Sequence, residues 1–68
     1  MSSKVYKKIR VVGCSGESYQ DAIAEAIART AESVHGAAWF EVVELTGSIT
    51  DGHPTEWQAT VDVSFKVD

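Results

Sequence analysis

The stretch Thr55-Glu56-Trp57-Gln58-Ala59-Thr60-Val61-Asp62-Val63-Ser64-Phe65-Lys66-Val67 decides the fold. From Trp57 on, every odd position is apolar: Trp57, Ala59, Val61, Val63, Phe65, Val67. The even positions Glu56, Gln58, Thr60, Asp62, Ser64 and Lys66 are all polar. Side chains on a strand point alternately to opposite faces, so this is one long strand with a core face and a wet face. At about 3.3 Å per residue, its eleven alternating residues span roughly 36 Å. A core face of that length needs a large cover, and a chain of 68 residues has little to offer. The mismatch points to assembly.

Working back from this strand, Asp51-Gly52 followed by His53-Pro54 supplies a chain reversal. Before it, residues 38–49 read as another strand, with Trp39, Val43 and Leu45 on one face and Phe40 and Val42 on the other. A strand apolar on both faces is covered on both faces. One helix cannot do that alone, so the second cover is another subunit or a ligand.

The first half supplies that helix. Residues 4–12 are rich in β-formers and end at Gly13, and Gly13-Cys14-Ser15-Gly16-Glu17 reads as a loop. Ser18 is placed to cap a helix over 19–35, with Asp21 in its first turn. Ala22, Ile23, Ala26, Ile27, Thr30 and Val34 recur on one helical face. Asp21, Glu25, Arg29 and Glu32 populate the other, and Gly36 fits a left-handed position that closes the helix. The order is β-α-β-β. A helical crossing sets the second strand parallel to the first, and the hairpin makes the third antiparallel to the second. The expected fold is α+β, a single domain over 1–68. Its three-stranded antiparallel sheet has order 1-3-2, with the helix on the apolar face and Gln58 on the opposite, polar one.

Composition narrows the function. So short a chain buries only about 60% of its unfolded surface and needs disulfides, metals or association. Cys14 is the only cysteine, which rules out an internal disulfide, and no Cys/His spacing suits a metal. The net charge of −4 argues against general nucleic-acid binding. Lys4, Lys7, Lys8 and Arg10 alternate with Tyr6, Ile9 and Val11 and read as a solvated strand face. No apolar run approaches a membrane span, and Met1-Ser2-Ser3-Lys4 lacks the apolar core of a signal peptide, so a cytoplasmic chain is expected.

No catalytic constellation is present. His35 and His53 have no nucleophile beside them, and Cys14 reads as a small buried or loop thiol. Gly13-Cys14-Ser15-Gly16 lacks the lysine of a phosphate-binding P-loop. Glu41, Glu44 and Glu56 have no obvious partner acid and read as solvated strand positions. Trp39 and Gln58 differ from these: an indole offers a flat stacking surface, and a primary amide offers a donor and an acceptor together. Such a pair suits a flat heterocycle with an imide edge, such as an isoalloxazine.

Val5-Tyr6-Lys7-Lys8, Gly13-Cys14-Ser15, Ala37-Ala38-Trp39-Phe40-Glu41-Val42 and the run from Trp57 to Phe65 together resemble a dodecin. The resemblance covers nearly the whole chain, in order. It implies a small flavin-binding protein, twelve copies of which close into a hollow sphere of cubic 23 symmetry. It implies that Trp39 stacks on the flavin and that Gln58 hydrogen-bonds the isoalloxazine. It also implies that two flavins stack between tryptophans of two subunits, so one chain forms half a pocket. The chain departs from the family at Thr46 and Lys66, where many bacterial dodecins carry arginines associated with FMN and coenzyme A. Thr46 lacks a charge and Lys66 lacks the bidentate fork, which favours riboflavin or lumichrome-like relatives over FMN. The resemblance thus implies flavin storage and quenching in a homododecamer rather than turnover. The alternatives are a structural oligomer without a ligand and a flavin-dependent reductase.

Overall fold

A computed structural model of the chain describes residues 3–67; Met1, Ser2 and Asp68, with the reading of the leader that rests on the first two, lie outside them. Four elements follow one another: β1 (Val5–Ser15), α1 (Tyr19–Ala31), β2 (Ala37–Thr50) and β3 (His53–Val67). The sheet has the order β1-β3-β2, and β3 pairs antiparallel with both neighbours. The architecture expected from the alternation of 57–67 is therefore the one observed.

The register explains why β3 takes the centre. Ala59, Val61 and Val63 are buried under α1, flanked by Gly13, Val11 and Ile9 of β1 on the same face. Ala22, Ala26 and Thr30 close the helix side of this small core. Gly13 sits where α1 crosses most closely: a Cβ there would lie 2.1 Å from the Ala22 carbonyl oxygen. Only a residue without a side chain lets helix and strand approach so near.

The strand–helix junction differs from the expected loop. β1 continues through Gly13, Cys14 and Ser15, which pair with Ala59, Gln58 and Trp57. Ser15 is buried and ties the strand end to the helix start: its Oγ donates to Asp21 Oδ2 at 2.7 Å and accepts from the Glu17 amide at 2.9 Å. Ser18 caps as expected, accepting from the Asp21 amide at 3.0 Å. The Glu25–Arg29 pair forms across one helical turn.

α1 ends at Ala31, four residues before the expected His35. Thr30 turns its hydroxyl back onto the Ala26 carbonyl at 2.8 Å, and the Ser33 and Val34 amides both reach the Thr30 carbonyl. Serine and β-branched valine are weak helix formers, so the last turn tightens and the chain leaves. Val34 therefore lies beyond the helical face assigned to it. Gly36 does adopt a left-handed φ of 80°, but it opens β2 rather than closing α1: its carbonyl accepts from the Lys66 amide at 3.1 Å.

β2 and β3 form a long hairpin. Asp51 and Gly52 both have positive φ, 51° and 79°, the pattern of a two-residue turn whose twist matches its strands. A bulge between Val42 and Glu44 corrects the expected faces of β2. The extra residue flips the alternation, so Leu45 lies opposite Ala59 on the helix side, with Phe40 and Val42 opposite Val63 and Val61. Trp39, Glu41, Glu44, Thr46 and Ser48 occupy the other face. The thirteen-residue helix reaches only about 20 Å, whereas the fifteen residues of β3 extend roughly 50 Å. Accordingly α1 lies over β1 and β3 and barely touches β2. Phe40, Val42, Val43, Leu45 and Ile49 stay exposed, Ile49 by 76%.

Candidate functional site

The helix-free face of the sheet carries the chemistry. Alternation places Tyr6, Lys8, Arg10, Val12 and Cys14 of β1 beside Gln58, Thr60, Asp62, Ser64 and Lys66 of β3. From β2 come Trp39, Glu41, Glu44, Thr46 and Ser48. Its residues form two groups at opposite ends, with a charged band between them.

At one end, Trp39 is 44% exposed, and its ring meets Tyr6 at a centroid distance of 4.8 Å and a 58° tilt. The two rings belong to outer strands and meet across β3, over Ser64, which is fully buried. A small residue at 64 leaves room for this bridge. Tyr6 was not singled out from the sequence, because β1 and β2 are neighbours only through β3. A hollow of about 130 Å³ lies behind Trp39 on the helix side of the sheet, between Ala37, Ala38, Phe40, Ile27 and Val63. That is below the few hundred Å³ of a typical ligand pocket.

At the other end, Gln58 is held from both sides. Thr46 Oγ1 donates to Gln58 Oε1 at 3.0 Å, and Gln58 Nε2 donates to Glu56 Oε1 at 3.0 Å. A longer contact of 3.4 Å runs from Nε2 to Ser48 Oγ. Glu56 has no partner acid, as expected, but it is half-buried and accepts from Gln58 rather than standing freely solvated. Cys14 lies directly across from Gln58 and is exposed, on a strand rather than in a core or a loop.

Within one chain the two ends do not meet. Trp39 stands opposite Ser64 and Thr46 opposite Gln58, so six β3 positions, roughly 20 Å, separate indole from amide. Lys66 lies beyond Ser64 at the Trp39 end, opposite Tyr6, and far from Thr46.

The charged band also has more order than a solvated face. Glu41 and Asp62 oppose each other across β2 and β3, an unfavourable like-charge pair unless compensated. Lys8 pairs with Glu41, while Arg10 bridges Asp62 with Nε 2.8 Å from Oδ1 and Nη2 3.1 Å from Oδ2. The hydrogen bonds from Arg10 are the main cause that holds the Asp62 carboxyl below the usual range; burial opposes them, and the charges of Arg10 and Lys8 add lesser lowering effects. The same contact raises the Arg10 guanidinium above its ordinary value.

A larger concavity, about 590 Å³, lies elsewhere, between α1 and the edge strand β1 along Ile9, Val11, Ala26 and Arg29. It carries no aromatic platform. Among the described residues no three His, Cys, Asp or Glu side chains converge on a metal position, and no helix is long and apolar enough to cross a membrane.

Comparison with known proteins places this geometry. The family model described as Dodecin matches residues 5–68. The dodecin of Thermus thermophilus is 38% identical over 65 residues, 96% of this chain and 94% of that protein. The calcium dodecin of Mycobacterium tuberculosis is 32% identical over 63 residues, 93% of this chain and 89% of its own length. The solved structure of the Streptomyces davaonensis dodecin superposes with a TM-score of 0.93 at 39% identity, covering 98% of each chain. Strand order, helix placement and a family match over nearly the whole length agree, and the chain belongs to the dodecin family.

Proposed function

We propose that the protein binds flavin without turning it over, stacking the isoalloxazine on Trp39 of one chain and hydrogen-bonding it through Gln58 of another. The observation that carries this reading is the placement of a half-exposed indole and an amide on the one helix-free face, too far apart to serve one ligand within a chain. Their separation fits a pocket completed by a second copy. The apolar residues left open on β2 supply a reason for the copies to associate, and an assembly of twelve is in keeping with the family resemblance.

An indole in van der Waals contact with an excited flavin can donate an electron to it. The bound ligand would then be dark and protected, a property suited to storage. A flavin covered on both faces leaves no position for a second substrate, and neither Trp39 nor Gln58 is a general acid or base. Riboflavin suits the pocket best, since Thr46 offers no charge for a phosphate. Calcium, named for the mycobacterial relative, is the competing ligand.

The test is to mix the purified protein with excess riboflavin, separate it by gel filtration and record the absorbance of the protein peak. Flavin bands co-eluting with an assembly support the reading. A colourless assembly supports a purely structural oligomer, and a peak that changes only with added calcium supports the ion.

A further inference from the structure

The Gln58 amide is not free to choose which end faces which neighbour. A carboxylate only accepts, so the Nε2 end must face Glu56, at 3.0 Å. Thr46 completes the arrangement by donating to Oε1 at 3.0 Å. Turning the amide over would set Oε1 against the Glu56 carboxylate, two acceptors at hydrogen-bond distance, and leave an N–H facing Thr46.

We propose that Glu56 is a positioning residue that fixes the polarity of Gln58, whose oxygen Thr46 then holds, and thereby restricts the ligand to one presenting an N–H beside a carbonyl. This inference rests on the flavin reading above and deepens it. The remaining hydrogen-bond capacity of the amide states the requirement. Oε1 has two lone pairs and Thr46 takes one, so one stays open for a ligand N–H. Nε2 has two hydrogens: one goes to Glu56, and the other reaches Ser48 only at 3.4 Å, a contact a ligand carbonyl can displace. An imide edge, with its N–H flanked by carbonyls, satisfies both. A ring alkylated at that nitrogen does not, because it sets a methyl group against an acceptor held in place. On this account Thr46 acts through Gln58 and not through a phosphate.

The experiment compares quenching of riboflavin and of its N3-methyl derivative by the assembled parent, Glu56→Gln, Thr46→Val and Thr46→Ser. The parent should bind the methylated flavin about tenfold or more weakly, since a buried acceptor loses its partner. Glu56→Gln puts an amide that can also donate beside Gln58, which lets Gln58 turn its N–H toward the carbonyls of the methylated ring. The ratio should then narrow by about threefold or more. Thr46→Val leaves Glu56 in place and should keep the ratio within about twofold of the parent, as should Thr46→Ser. Because the readout is a ratio, partial loss of folded protein does not mimic the effect. Quenching with no discrimination in the parent, or a ratio unchanged in Glu56→Gln, would overturn the positioning role and leave the flavin reading standing. A parent that quenches neither flavin would overturn both.

Discussion

Trp39 and Gln58 share one face of the sheet but stand roughly 20 Å apart, six positions along β3. Any ligand touching both is held between chains, and binding is therefore coupled to assembly. Light scattering at micromolar concentration should find a closed oligomer and no folded monomer. The exposed Phe40, Val42, Val43, Leu45 and Ile49 are its driving force. A stable, folded monomer would remove both the oligomer and the shared pocket.

The two tryptophans should separate by function. Trp39→Ala should lose a stacking contact of roughly 1–3 kcal/mol, or about 5- to 150-fold in flavin affinity, by analogy with base–aromatic stacking. Trp57 lies on the helix side, edge-on to Tyr19 at 5.1 Å, and its truncation should instead lower the denaturation midpoint. Unchanged flavin affinity in Trp39→Ala would assign that indole to packing.

How much of this was legible beforehand depended on the range of the interactions. The strict alternation of 57–67 is a local pattern, and it carried the sheet order, the helix side and the wet face of Gln58. The cap at Ser18 and the Asp51-Gly52 turn were equally local. The face of Leu45 was not, because the bulge at Val43 shows only in how β2 meets β3. Tyr6 was missed for the same reason, since its contact with Trp39 spans the full width of the sheet. The Thr46–Gln58–Glu56 chain hides in a two-residue step along β3 and a cross-strand register. In the sequence alone, Thr46 stood out only as a departure from an arginine.

Asp62 gives a dependence on pH of definite sign. Arg10 lowers its carboxyl in the folded protein, so the folded state binds its proton less readily than the unfolded chain, whose aspartates titrate near about 3.9. The contribution of the pair is complete above that pH and is lost as pH falls through the lower folded value. Denaturation midpoints at fixed protein concentration should therefore drop below about pH 4 in the parent. In Asp62→Asn they should start lower at neutral pH and fall less steeply on acidification. Parallel curves for the two proteins would mean that Arg10 and Asp62 contribute nothing to folding.

Phosphate should bring little to binding. Thr46 is engaged with Gln58, and Lys66 offers a point charge at the far end of the chain, so riboflavin should bind at least as well as FMN. Any FMN preference at low salt should fade as salt screens it. Thr46→Arg should shift preference toward FMN. A tenfold preference of the parent for FMN at high salt would show that another group holds the phosphate.

The most direct test is a titration of riboflavin fluorescence with the assembled protein. A pocket that stacks two flavins between two chains predicts emission quenched almost completely and saturating at one flavin per chain. Emission that stays bright at a several-fold excess of protein would contradict a flavin held against Trp39.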